Sequence, residues 1–151
     1  MRNYVKNDKG LTLVEVLAST VLITLLLVTF MMMFAQASKS NVASETIIDS
    51  TYIAQSEMEQ VYALSKKNVP VDKVTALSSK YGSSVSKTIS GTKWQEYSKI
   101  DDTSGNTIKI RLEDTPAAMK MTRIVIEVYE GTKTNPSAKM ENVLIWEVVS
   151  P

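Results

Sequence analysis

Hydrophobic and polar positions change pattern three times along this chain. Residues 16–35, VLASTVLITLLLVTFMMMFA, are twenty residues with no charge and no proline. At ~1.5 Å rise per residue such a helix covers the ~30 Å hydrocarbon core of a bilayer. A helix that is apolar all round satisfies its backbone internally in lipid and would be unusually long for a soluble core, so a membrane-spanning helix is predicted. No Gly or Pro interrupts residues 36–67, where Ala, Gln, Glu, Met and Lys recur, and the helix is predicted to continue to Lys67. The rod implied is ~80 Å long. In its outer half Ala43, Ile47, Ala54, Met58 and Val61, with Ser50 between them, share one narrow stripe at spacings of three and four. Ile48, Tyr52 and Tyr62 flank that stripe, which suits packing against a sheet rather than holding a ligand.

Lys66, Lys67 and Asn68 supply a helix end before Pro70. Residues 70–80 are predicted to form a short second helix, with Val71, Val74 and Leu77 on one side and Gly82 as its stop. The pattern then shifts to a period of two. Strands are predicted at 83–89 and 93–100, separated by Gly91, and at 107–112, where Ile108, Ile110 and Leu112 alternate with Lys109 and Arg111. Residues 121–129 and 142–149 are the richest in β-branched and aromatic residues. One face of the first carries Ile124, Ile126 and Val128; one face of the second carries Leu144, Trp146 and Val148. Residues 131–139, containing Asn135-Pro136, are predicted as a long exposed hairpin loop. These elements give an α+β fold, with an antiparallel sheet of three or four strands laid on the outer half of the long helix. The aromatic residues Tyr81, Trp94, Tyr97, Tyr129 and Trp146 are expected to fill the core rather than form an adhesive patch.

Length and composition narrow the function classes. The 151 residues accommodate one membrane helix and one small domain. There is no cysteine and no histidine, which excludes a disulfide framework, a Cys/His catalytic pair and structural zinc of the usual kind. Ser65-Lys66 and Ser86-Lys87 are adjacent pairs whose side chains diverge on a helix or strand, so a Ser/Lys hydrolase gains no support from them. No enzyme activity and no cofactor is expected. Asp101-Asp102-Thr103-Ser104-Gly105-Asn106 is oxygen-rich, and Asp101 and Asp102 are the one candidate calcium loop. The same run is an ordinary turn between strands without an acidic residue at EF-hand spacing, and the turn is the favoured reading.

One carboxylate, Glu15, stands just inside the apolar run and five residues beyond Gly10. Lys9-Gly10-Leu11-Thr12-Leu13-Val14-Glu15, preceded by the basic leader with Arg2 and Lys6, resembles the processing site of type IV prepilins and of the pseudopilins of type II secretion and competence systems. The resemblance covers about the first thirty residues and implies a pilin-like fold. It implies cleavage between Gly10 and Leu11 by a prepilin peptidase and N-methylation of Leu11, a position where the family more often has Phe. Thr12 and Glu15 become assembly residues, Glu15 pairing the free amine of a neighbouring subunit. The chain is then organised as a leader (1–10), a transmembrane and filament-core half-helix (11–37), an outer amphipathic half-helix (38–67) and a globular sheet domain (68–151).

Of 17 basic and 16 acidic residues, the leader holds three and one, so the processed chain carries 14 and 15. That balance predicts no direct nucleic-acid grip. Arg2, Lys6 and Lys9 before the span place the N-terminus in the cytoplasm and the globular domain outside, later on a cell-surface or periplasmic filament. Expected partners are the peptidase, other pilin or pseudopilin subunits, the inner-membrane assembly platform and membrane lipid. A minor subunit is expected, because the motif resembles minor subunits whose carboxylate is followed by Val-Leu and because no proline interrupts the apolar half. The alternative is a single-pass anchored extracellular binding module that never enters a filament.

Overall fold

The computed structural model describes residues 12–66, 72–116 and 119–146. The chain divides into two compact units, Met1–Ala43 and Ser44–Pro151. The order of elements is α1 (Leu13–Lys66), α2 (Lys73–Tyr81), β1 (Val85–Ile89), β2 (Thr92–Ile100), β3 (Thr107–Glu113), β4 (Met121–Tyr129) and β5 (Ala138–Ile145). This is the α+β arrangement expected, with a long apolar N-terminal helix and an antiparallel sheet.

The sheet has five strands in the order β1-β2-β3-β4-β5, one more than the largest number expected. Every neighbouring pair is antiparallel, so the sheet is a simple meander built from local connections. The β1–β2 hairpin closes on Ser90 (φ 51°) and Gly91 (φ 83°), two left-handed residues whose twist matches that of the strands they join. The fifth strand differs from expectation at its start. β5 begins at Ala138, because Ala138, Lys139, Met140 and Glu141 continue the ladder opposite Val128, Glu127, Ile126 and Val125. The hairpin loop is shorter accordingly. Leu144 and Trp146 are buried as predicted, while Val148 lies outside the described residues.

In the unit 44–151, the core lies between one sheet face and the outer half of α1, with α2 beside it. Ile108, Ile110, Leu112, Ile124, Ile126 and Val128 are each at most 2% exposed. They meet Ala54, Met58 and Val61 from α1 and Leu77 and Tyr81 from α2. The buried stripe of α1 is Ser50, Ala54, Glu57, Met58, Val61 and Ser65. Ala43 and Ile47, assigned to that stripe by spacing, are exposed, so burial begins at Ser50, about two turns later than the pattern implied. α2 starts at Lys73 and stops at Gly82, whose φ of 82° with ψ −161° is extended backbone open to glycine and leaves the helical path. Its inward side is Lys73, Ala76, Leu77 and Tyr81, with Val74 half-buried; Pro70 and Val71, like Lys67 and Asn68 before them, lie outside the described residues.

Candidate functional site

The site named by the sequence sits at the start of α1. Thr12 is the residue before the first helical turn: its carbonyl accepts Glu15 N–H at 3.0 Å and Val16 N–H at 3.1 Å, and its Oγ1 accepts Glu15 N–H at 3.3 Å. Thr12-Leu13-Val14-Glu15 is therefore a hydroxyl cap followed three residues later by glutamate, the spacing of a capping box. The Glu15 carboxylate has no ion pair among the described residues and lies in the first turn, where the helix dipole favours negative charge. Gly10 and Leu11 lie outside the described residues.

The polar side chains that follow Glu15 in the apolar run are all turned back on the helix. Ser19 Oγ donates to the Glu15 carbonyl at 2.7 Å, and Thr20, Thr24 and Thr29 each donate to the carbonyl three residues earlier at 2.8 Å. A hydroxyl satisfied within its own helix can face hydrocarbon without a partner from elsewhere. The large apolar residues of this stretch are open, from Val16 at 47% to Phe34 at 80% exposed. α1 is the one helix among the described residues long and apolar enough to cross a membrane.

On the core side of the sheet domain, charges are buried that periodicity alone had not marked. Glu57 bonds Lys99 Nζ at 2.6 Å and the Tyr81 hydroxyl at 2.9 Å. Its position was legible, since it lies three residues after Ala54 and four before Val61 on the same stripe. Lys73 Nζ donates to Thr115 Oγ1 (2.9 Å), the Met119 carbonyl (2.8 Å) and Thr122 Oγ1 (2.9 Å), pinning α2 to the β3–β4 connection. Burial lowers the Lys73 amine from its ordinary range, with Asp72 and Asp114 opposing the shift. Nothing in the sequence pattern separates this lysine from a solvated one.

The other sheet face is a charge lattice. Arg123 reaches Glu113 at 3.3 Å and Glu141 at 3.5 Å, Lys87 reaches Glu96 at 3.5 Å, and Arg111 pairs Glu127. Trp94 belongs here, not to the main core: it is 7% exposed because the Arg123 guanidinium covers its ring at 5.2 Å. Tyr129 also lies on this face, under Lys109 Nζ at 4.6 Å, while Tyr81, Tyr97 and Trp146 fill the core as expected. The cleft over Trp94, about 220 Å³, is lined by Arg111, Arg123, Lys139 and Glu141, all already ion-paired.

Asp101 closes a turn. Its Oδ2 accepts Ser104 N–H at 2.9 Å and Ser104 Oγ–H at 2.7 Å, and Gly105 N–H donates to its carbonyl at 2.8 Å. Those Ser104 bonds hold the carboxyl below the usual carboxylate range. Among the described residues, no three His, Cys, Asp or Glu side chains are gathered for a metal, and Asp102 adds none. Ser65 Oγ donates to the Tyr62 carbonyl at 2.8 Å and Ser86 Oγ exchanges bonds with Gln95, so neither serine faces its neighbouring lysine.

Fold and site together define an α+β protein with one helix able to cross a membrane and a sheet whose core-facing side packs on the rest of that helix. No family model, curated protein or solved structure matches this chain.

Proposed function

We propose that the chain is a structural, minor subunit of a type IV pilus or of the pseudopilus of a type II secretion or competence system. A prepilin peptidase removes residues 1–10, Leu11 becomes the N-methylated terminus, and Glu15 meets the Leu11 amine of a neighbouring subunit. The subunit begins as a single-pass protein of the cytoplasmic membrane, its N-terminus in the cytoplasm and its sheet domain outside, and leaves the bilayer when the assembly platform inserts it among related subunits. The observation that carries this reading is the coincidence at one helix start of a hydroxyl cap at Thr12, a first-turn carboxylate at Glu15 with no ion pair among the described residues, and an apolar run whose hydroxyls are all satisfied within the helix. A carboxylate at the edge of an apolar layer is costly without a cation, and cleavage after Gly10 would create one.

Mass spectrometry of the intact protein from cells with and without the peptidase tests the proposal. A mature chain beginning at Leu11 and carrying one added methyl group is the expected result. A chain that keeps residues 1–10 in the presence of active peptidase overturns it and leaves the anchored binding module.

A further inference from the structure

Among the described residues β5 is an edge strand, and it ends in Val143-Leu144-Ile145, which with the following Trp146 makes an apolar run without charge. Met121 and Ile145 are directly opposite each other, and Met121, Val143 and Ile145 are 58%, 51% and 50% exposed on the face away from the helix. An uncharged, strongly β-forming segment on an open edge is a template for strand addition by another chain.

The parity of the ladder fixes which backbone groups are open. Trp146 N–H donates to the Lys120 carbonyl at 2.8 Å, which makes 120 and 146 a hydrogen-bonded pair. Hydrogen-bonded and non-bonded pairs alternate in an antiparallel ladder, so Leu144, Asn142 and Met140 direct their backbone groups at β4. Lys139, Glu141, Val143 and Ile145 direct theirs outward. The first outward donor of the apolar stretch is nevertheless occupied, because Asn142 Oδ1 accepts Val143 N–H at 2.8 Å.

We propose that the Asn142 carboxamide is an edge lock that keeps a second copy of this chain from adding its strand to β5. By holding Val143 N–H it interrupts the outward row of donors between Glu141 and Ile145, so an incoming strand loses its central bond where the apolar side chains would have attracted it. Lys139 and Glu141 protect the remaining end of the edge with charge.

Amide exchange on the ¹⁵N-labelled full-length chain in detergent micelles tests the contact. Val143 N–H is expected to exchange roughly fivefold to tenfold more slowly than the outward amides of Glu141 and Ile145, as one weak hydrogen bond would give. Asn142→Asp keeps an acceptor and should keep that protection. Asn142→Ala and Asn142→Val remove the acceptor; both should lose the protection and gain concentration-dependent, thioflavin-positive association, Val more than Ala because of its β preference. A wild-type Val143 amide as fast as that of Glu141 overturns the lock. So does a folded Asn142→Val chain, unprotected at Val143, that stays as monodisperse as wild type.

Discussion

Glu57 Oε1 and Lys99 Nζ lie 2.6 Å apart between α1 and β2, and the other oxygen of the same carboxylate takes the Tyr81 hydroxyl of α2 at 2.9 Å. One buried carboxylate thus joins three elements. Removing one partner of a buried pair leaves the other desolvated and uncompensated, whereas a neutral isostere keeps part of the bonding. Lys99→Met is therefore expected to destabilise most, by ~2–4 kcal/mol, Glu57→Gln by ~1–2 kcal/mol and Tyr81→Phe by ~1 kcal/mol. Urea unfolding followed by tryptophan fluorescence checks the order; equal losses would mean that the carboxylate is not the shared element.

At the β1–β2 turn, Ser90 holds φ 51° without being glycine, beside Gly91 at φ 83°. Asn tolerates the left-handed region better than Ser, so Ser90→Asn should stabilise by ~0.5 kcal/mol. Gly91→Ala should cost ~1–2 kcal/mol, through backbone strain alone, since a Cβ there meets nothing within 4 Å. Thermal melts of the two variants should move in opposite directions.

What the sequence disclosed followed from periodicity, and what it hid followed from pairing. β4 was legible to the residue, because Met121–Tyr129 is dense in β-branched residues and Ile124, Ile126 and Val128 share one face at a period of two. The first half of β5 was not: Ala138-Lys139-Met140-Glu141 has weak strand preference and is strand only because β4 offers it a partner. The stripe of α1 was visible, but its buried extent depends on where the sheet ends, and Ala43 and Ile47 fall beyond it. Trp94 read as core because indoles usually are, yet it is buried by an arginine from another strand. Lys73 was invisible, since its three acceptors come from residues 42 to 49 positions away. The proposed processing site is a different case: it rests wholly on local sequence, and Gly10 and Leu11 lie outside the described residues.

Tyr129 is pushed up to about 12, first by burial and then by its bond to Glu127. Burial also raises Tyr81 and Tyr97. A phenol raised in the folded state stabilises fully below its unfolded value, ~10, and that contribution disappears as pH rises through the folded value. Lys73, lowered from 10.5, acts in the opposite sense below that pH. Stability should therefore fall from about pH 10.5 upward and go on falling beyond 12, because Tyr81 is raised further than Tyr129, and Tyr129→Phe should flatten the fall below about pH 12 without abolishing it. Urea midpoints across that range, with phenolate absorbance as the titration signal, check both.

Gly10→Val and Glu15→Val separate cutting from assembly. On the proposed function the peptidase draws extended backbone into its site, where a Cβ at residue 10 would obstruct it, so Gly10→Val should remain uncut in the membrane. Glu15→Val loses only the carboxylate and should be cut normally but enter filaments slowly or not at all. Blots of membrane and sheared-filament fractions distinguish the two; normal incorporation of Glu15→Val would remove the pairing role.

Within the proposed filament function, the choice between major and minor subunit rests on the apolar half of α1. α1 contains no proline, and Met31-Met32-Met33 stands in the last third of its apolar run, where resemblance to major pilins would place a helix breaker. A proline there removes a backbone bond and lets the helix melt locally, which suits a helix surrounded by many copies in a long fibre. A subunit at a filament tip has fewer neighbours and no such need. Quantitative mass spectrometry of purified filaments should find this chain far below the most abundant subunit, and inserting a proline at Met32 should lower its incorporation rather than raise it. If the chain dominates the filament, or if the proline variant incorporates better, the minor-subunit assignment fails while cleavage at Gly10 stands on its own test.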